Sequence, residues 1–222
     1  MSKLKVAIII PCHNEQKHIG KLLRRLQPIA KRLRLITVVI DDGSTDDSHW
    51  LARPFADYTL RHELNLGKGA ALRTGCEFAF QHINCTHVIM MDADEQHAPA
   101  DLSKFVAAIR LGQELVLGVR SFAGMPRQAM VANKFSSFAI KLFTGVFVPD
   151  IPSGYKAMSR RVFRQLQWQV SGYDVEFAIA WQIARQRLSF QEVPIQTLYP
   201  DYARGMTALD GIKVVLNMLG LR

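Results

Sequence analysis

Three short runs of apolar and β-branched residues constrain the fold most: Lys5-Val6-Ala7-Ile8-Ile9-Ile10, Leu35-Ile36-Thr37-Val38-Val39-Ile40 and Thr86-His87-Val88-Ile89-Met90-Met91. Each passes abruptly into a polar loop and then into helical spacing. Continuous apolar runs of this length suit strands buried on both faces of a sheet. Strand, loop and helix repeating in that order imply parallel strands joined by right-handed crossovers. A fourth strand is read at 115–119, and helices over 17–33, 70–81 and from near Pro99. The expected class is α/β, with a mostly parallel central sheet flanked by helices.

Past Arg120 the texture changes. Apolar residues at 131, 135, 138, 139 and 142 form the stripe of an amphipathic helix over 130–143, with Lys134 and Lys141 on its exposed face. The segment VPDIPSGYKAMS reads as loop, 173–186 as a helix, 190–195 as an edge strand because of Pro194, and a last amphipathic helix starts near Thr207. The 222 residues suit one domain, with residues 1–120 as a nucleotide-binding half and 121–222 as an acceptor-binding half.

The 28 Lys+Arg against 19 Asp+Glu give a formal net charge of +9. Such a surface suits nucleic acid, an anionic membrane or phosphorylated small molecules. No nucleic-acid motif and no basic stripe interleaved with aromatics is present, so nucleic acid is not an expected partner. Cys12, Cys76 and Cys85 are odd in number and lack metal-site spacing, which fits a reducing compartment. The N-terminus reads as a first strand rather than a signal peptide. No apolar run approaches the ~18 residues of a spanning helix, so the expected location is the cytoplasm, with any membrane contact peripheral.

In an open α/β sheet, ligands bind beyond the carboxyl ends of the strands. The segments to weigh are therefore Pro11-Cys12-His13-Asn14-Glu15, Asp41-Asp42-Gly43-Ser44, Asn65-Leu66-Gly67-Lys68-Gly69 and Asp92-Ala93-Asp94-Glu95-Gln96-His97. All four are expected along one edge. In DDGSTDDS, Ser44 or Thr45 suits a helix N-cap, and Asp46 and Asp47 suit a first turn, where carboxylates favour the helix dipole. Asp41 and Asp42 precede that cap, where a nucleotide's ribose or base would be met.

Asp92 and Asp94 repel each other unless a cation or strong donors compensate. Hard oxygen ligands of this kind suit Mg²⁺ or Mn²⁺ bridging to a diphosphate, although an acidic helix-capping loop has the same composition. Lys68 opens a helix, where a cation is unfavourable unless an anion docks there. A P-loop would need Gly at His62, and a dinucleotide fingerprint would need Gly at Leu72, so neither is supported. The histidines form no metal-binding spacing; His97 alone falls in the candidate metal loop.

VAIIIPCHNE, VVIDDGSTDDS, NLGKGAALRTG, MDADEQHAP, GVRS, PDIPSGYKAMSR, GYDVEFAI and EVPIQT follow one another in this order along almost the whole chain. Together they resemble the inverting, nucleotide-sugar-dependent glycosyltransferases of family 2, the group that includes dolichyl-phosphate mannose synthase and bacterial polyprenyl-phosphate glycosyltransferases. The resemblance implies a GT-A fold and places Pro11, Asn14, Glu15 and Asp42 around the base and ribose, with Lys68 and Gly69 nearby. It implies a metal at Asp92, Asp94 and Gln96, Arg120 facing the phosphates, and Ser153-Gly154-Tyr155-Lys156 near donor sugar and acceptor. Arg127 and Arg160 are weaker phosphate candidates. Glu95 departs from the family loop, which often has Gly or Leu there. Members often carry C-terminal membrane helices; here the amphipathic stretches 130–143 and 207–219 are the candidate lipid-facing surface, at the inner face of a membrane.

The implied reaction moves a hexose from a GDP- or UDP-linked sugar to a polyprenyl phosphate by in-line displacement with inversion, assisted by the metal at Asp92 and Asp94. A phosphate acceptor needs little base catalysis, since its second pKa is about 6. A saccharide or glycolipid hydroxyl would need a carboxylate base, for which Asp150, Asp174 and Glu176 are candidates. Two rivals are a sugar nucleotidyltransferase, whose first loop should be Gly-rich with an Arg, and an inactive transferase-like binding subunit, against which intact Asp92, Asp94, Lys68 and Arg120 argue.

Overall fold

The computed structural model describes residues 4–121, 127–170, 172 and 174–196, with the side chains of 127–129 left undescribed. In chain order the elements are β1 (Val6–Cys12), α1 (Ile19–Leu33), β2 (Leu35–Asp41), α2 (Ser48–Ala52), β3 (Tyr58–Arg61) and α3 (Lys68–Gln81). They continue with β4 (His87–Met90), a 3₁₀ turn at Pro99–Asp101, α4 (Leu102–Arg110), β5 (Leu115–Arg120), α5 (Arg127–Thr144), β6 (Lys156–Ser159), α6 (Arg160–Leu166), α7 (Val175–Arg185) and β7 (Gln191–Ile195). One seven-stranded sheet has the order β3-β2-β1-β4-β6-β5-β7. Every pairing is parallel except those of β6, which runs antiparallel to β4 and β5.

The mostly parallel α/β expectation holds, and its cause is visible in β1, where all seven residues are buried. Ala7 and Ile9 enter the core shared with α3, α6 and α7, while Val6, Ile8 and Ile10 enter the core shared with α1 and α4. Each such fully buried aliphatic side chain contributes roughly 1.5–3 kcal/mol. Helix α1 presents Ile19, Leu22, Leu23, Leu26 and Ala30 to that second core, the spacing of one helical stripe. Helix α3 comes closest to the sheet at Gly75, where an added Cβ would lie 2.5 Å from side-chain carbons of both Ile9 and Ile40.

Three elements were not legible as such. Strand β3 is an exposed four-residue edge, whereas the helix expected after DDGSTDDS is present as α2, a single turn. Strand β6 falls in the segment read as loop, yet it is fully buried in the middle of the sheet; KAMS carries one aliphatic signal and a lysine, so tertiary pairing overrides propensity. Helix α6 follows it directly, capped by Ser159, whose Oγ accepts the Val162 N–H. The edge strand with Pro194 is β7, at the sheet's margin as read. The amphipathic stretch 207–219 lies outside the described residues.

Helix α5 is turned opposite to an ordinary surface helix. Asn133, Ser136, Ser137, Ala139 and Ile140 are buried, while Val131, Phe135, Phe138 and Leu142 are 52–70% exposed together with Lys134 and Lys141. No helix among the described residues is long and apolar enough to cross a membrane.

Candidate active site

Strands β1, β2 and β4 are parallel neighbours, so the loops that follow them open on one edge. There they line an open cleft of about 130 Å³ that includes Pro11, Cys12, His13, Glu15, Asp42, Asn65, Gly67, Lys68, Asp92 and Asp94. The four segments singled out in the sequence therefore meet as expected. Asn14, at φ 53, is exposed beside the cleft: its Oδ1 accepts the Thr45 N–H and its own N–H donates to Ser44 Oγ, which bolts the first loop to the second. Gly69 is buried, and its carbonyl accepts the indole N–H of Trp168 at 3.0 Å.

The acid of DDGSTDDS is largely neutralised internally. Asp41 is fully buried, accepts the Ser44 N–H and pairs with Arg61 Nε at 3.1 Å. Asp42 accepts from His62 Nδ1 and from the N–H groups of Leu66 and Gly67, at 2.7, 2.9 and 2.8 Å. It thereby shapes the 62–67 loop and the entry to α3 while lining the cleft. Asp46 and Asp47 precede the expected helix rather than sit in its first turn: α2 begins at Ser48, Asp47 is its N-cap position, and Asp46 accepts the Ser48 N–H at 3.0 Å. Ser44, whose Oγ is taken by Asn14, caps nothing.

The Asp92-Ala93-Asp94 loop is the electrostatic centre. Lys68, the first residue of α3, places Nζ 2.6 Å from Asp92 Oδ1 and 2.6 Å from Glu176 Oε1. Burial opposes its charge, but the two carboxylates overcome burial and hold the ammonium well above its ordinary pKa. Burial likewise opposes ionisation of Asp92, and Lys68 overcomes it, leaving the carboxyl at about 2. Asp94 is pushed up to about 6, first by burial and then by the charge of Asp92. His97 is buried, and burial lowers it to about 4; its Nδ1 accepts the Asp92 N–H. It is thus a neutral ring supporting the loop, stacked on Tyr155 at 4.8 Å. Gln96 donates its N–H to Asp94 Oδ1. Glu95, at φ 63, turns away from the cleft to α1, where it meets His18 at 3.1 Å and Arg25 at 3.5 Å.

The second half of the chain closes on this centre. An added Cβ on Gly154 would lie 2.4 Å from Asp92 Oδ2, so any side chain there would require the Asp92 carboxylate to shift. Lys156 is buried on β6, its ammonium turned onto the carbonyls of Ile151 and Ser153, and burial lowers it to about 8. Ser153 is buried, with no hydrogen-bond partner for Oγ. Arg120 forms a fork with Asp150, at 3.0 and 2.6 Å to Oδ1, and Asn133 of α5 donates to the same oxygen. Arg127 begins α5, and its side chain lies outside the description. Arg160 is held at the far end of β4 by the carbonyls of Phe80 and Cys85, away from the cleft. Asp174 is the N-cap position of α7, and Glu176 stands buried in that helix's first turn.

Sequence reasoning did not anticipate the Lys68–Glu176 pair, the contact of Gly154 with Asp92, or Asn133. Only Asn133 left a trace: it is polar on a helix whose other face is strongly apolar.

Asp92 and Asp94 fit a divalent cation of the Mg²⁺ type. Such an ion is usually held by one or two carboxylates plus substrate phosphates and water rather than by a protein cage, and the raised Asp94 marks a place where negative charge lacks compensation. Among the described residues no group of three or more His, Cys, Asp or Glu is arranged for a metal.

The fold is shared with glucosyl-3-phosphoglycerate synthase from Mycobacterium tuberculosis, whose crystal structure in complex with UDP matches with a TM-score of 0.77 at 20% identity, covering all of this chain and 82% of that one. A UDP-N-acetylglucosamine–dolichyl-phosphate N-acetylglucosaminyltransferase from Methanococcus voltae is 30% identical over 100% of this chain and 98% of its own length. A polyprenol monophosphomannose synthase from Mycolicibacterium smegmatis is 26% identical over 95% and 83%. The description of Glycosyl transferase family 2 matches residues 7–167, a span that runs from β1 through the acidic loops and the Gly154 segment to α6. Fold, cleft and sequence agree: the chain is a glycosyltransferase and belongs to glycosyl transferase family 2.

Proposed function

We propose that this glycosyltransferase moves a hexose from a nucleoside-diphosphate sugar to a polyprenyl phosphate, with inversion. The observation that carries the reading is the meeting, in one cleft, of the Pro11–Glu15 loop, Asp42, Lys68 at the start of α3 and the Asp92–Asp94 loop, with Gly154 packed against Asp92 behind it. Pro11, Glu15 and Asp42 surround the base and ribose, with Asn14 bracing their loops. The N-terminus of α3 and Lys68 receive the diphosphate, where the helix dipole favours negative charge. A divalent cation, Mg²⁺ or Mn²⁺, held by Asp92, Asp94 and Gln96 would supply Lewis-acid stabilisation of the departing nucleoside diphosphate.

The choice of a phosphate acceptor draws on two of the three candidate bases, Asp174 at the start of α7 being the third. Asp150 already receives Arg120 and Asn133, and Glu176 receives Lys68, so neither is placed as an unencumbered proton acceptor for a hydroxyl. A phosphate monoester needs none, and Lys156 with Arg120 supplies positive charge for it. The relatives named for dolichyl-phosphate and polyprenol substrates support the same choice. The exposed apolar face of α5, flanked by Lys134 and Lys141, suits peripheral contact with an anionic membrane, at its cytoplasmic face.

The test offers purified protein labelled GDP- and UDP-sugars with Mg²⁺ or Mn²⁺ and a polyprenyl phosphate. Label entering the organic phase only when cation and lipid are both present is the expected result. Label appearing solely on a water-soluble saccharide would overturn the acceptor assignment.

A further inference from the structure

The buried charges between the two halves of the chain do not balance around Asp92 alone. Lys68 bridges Asp92 and Glu176 at 2.6 Å each, and Glu176, on α7, is only 5% exposed. Lys156, the other ammonium nearby, is turned onto the carbonyls of Ile151 and Ser153. Lys68 is therefore the cation that Glu176 faces at contact distance. Removing one partner of a buried ion pair leaves an uncompensated charge. If Lys68 had only Asp92, any cation binding there would have to strip that carboxylate from a buried ammonium.

We infer that Glu176 is a positioning residue acting through Lys68: it gives the ammonium a second carboxylate and so leaves Asp92 available to a divalent cation. The inference rests on the proposed cation site and concerns a residue that sequence reasoning would have cast as a base. Lys68, seated on Glu176, stays at the N-terminus of α3, where a diphosphate would meet it. Glu176 itself then needs no contact with sugar, phosphate or cation.

The test is a double-mutant cycle read by Mn²⁺ binding, with free Mn²⁺ followed by electron paramagnetic resonance and no other ligand added. Glu176→Gln should raise the Mn²⁺ Kd roughly tenfold, the low end of measured couplings between close charge pairs, because Lys68 then rests wholly on Asp92. Lys68→Met should lower the Kd, and in that background Glu176→Gln should have no further effect. An equal loss of affinity in both backgrounds overturns the inference, since Glu176 would then act on the cation directly or through its field.

Glu176→Asp separates reach from charge. It keeps the carboxylate but withdraws it from Lys68, so Mn²⁺ binding should weaken as in Glu176→Gln; affinity equal to that of the unsubstituted protein overturns the inference. Circular dichroism confirms that each variant is folded, and this milder substitution keeps the test decisive if Lys68→Met does not fold. Absence of saturable Mn²⁺ binding in the unsubstituted protein overturns the cation site itself, and is thereby distinguished from failure of the Glu176 inference.

Discussion

Gly154→Ala is the sharpest probe of the joint between the two halves. The new methyl carbon would lie 2.4 and 2.7 Å from the two carboxylate oxygens of Asp92 and 2.8 Å from Cγ, where ordinary contact begins at 3.4 Å. One group must yield by about 1 Å. Asp92 cannot yield freely, because Lys68 stands 2.6 Å from one oxygen and the backbone N–H is held by His97. Overpacking of this kind costs about 1–3 kcal/mol, and each kcal/mol lowers Tm by about 2–4 °C in a chain of this size. Displacement of a catalytic group by about 1 Å costs roughly 100-fold in rate. The variant should thus melt a few degrees lower yet lose about two orders of magnitude in transfer, with weaker Mn²⁺ binding. In an Asp92→Ala background, where the clash has no partner, Gly154→Ala should leave the melting temperature nearly unchanged. A folded Gly154→Ala enzyme with full activity and unaltered Mn²⁺ affinity would refute the reasoning.

Asp94→Asn should abolish cation-dependent transfer, by at least about 100-fold, with the thermal melt preserved; retained activity in the folded variant would remove Asp94 from the chemistry. Because Asp94 is raised to about 6, the folded protein still holds a proton that the unfolded chain releases near pH 4. In chelator, stability should therefore fall as pH rises from about 4 to 6, and Mn²⁺ affinity should rise over the same window; a melt curve flat across that range contradicts the assignment. Glu95→Ala loses the ties to His18 and Arg25 while keeping a left-handed backbone, whereas Glu95→Gly loses the ties and relieves the strain. Calorimetry should find the Gly variant the more stable of the two by about 1 kcal/mol, and equal melting temperatures would show that φ 63 carries no strain.

The sheet was legible because its central strands advertise themselves: β1, β2 and β4 are apolar on both faces, and nothing but a parallel layer buries such runs. Strand β6 was not, since Lys156 and Ser159 mask a buried central position that only pairing with β4 and β5 explains. In the site, the loops after the strands could be placed on one edge from topology alone, and they line the cleft together. What could not be read was how their charges pair. Asp42 was singled out over Asp41 only through the family resemblance; in the structure Asp41 pairs with Arg61 inside the protein and Asp42 lines the cleft. The stripe on α5 was seen, but not that it faces outward while Asn133 on the opposite face reaches Asp150, seventeen residues away.

Those pairings bear on how ligands enter. Asp41 and Asp150 are each matched by an arginine, which leaves Asp92, Asp94 and Glu176 to share Lys68 and Lys156 in the same buried region. With Asp94 ionised this set is negative, and a diphosphate would meet repulsion that the α3 dipole and Lys68 only partly offset. A divalent cation bound at Asp92 and Asp94 would reverse the sign of that balance. Cation and nucleotide sugar should therefore bind cooperatively, each tightening the other by the same factor.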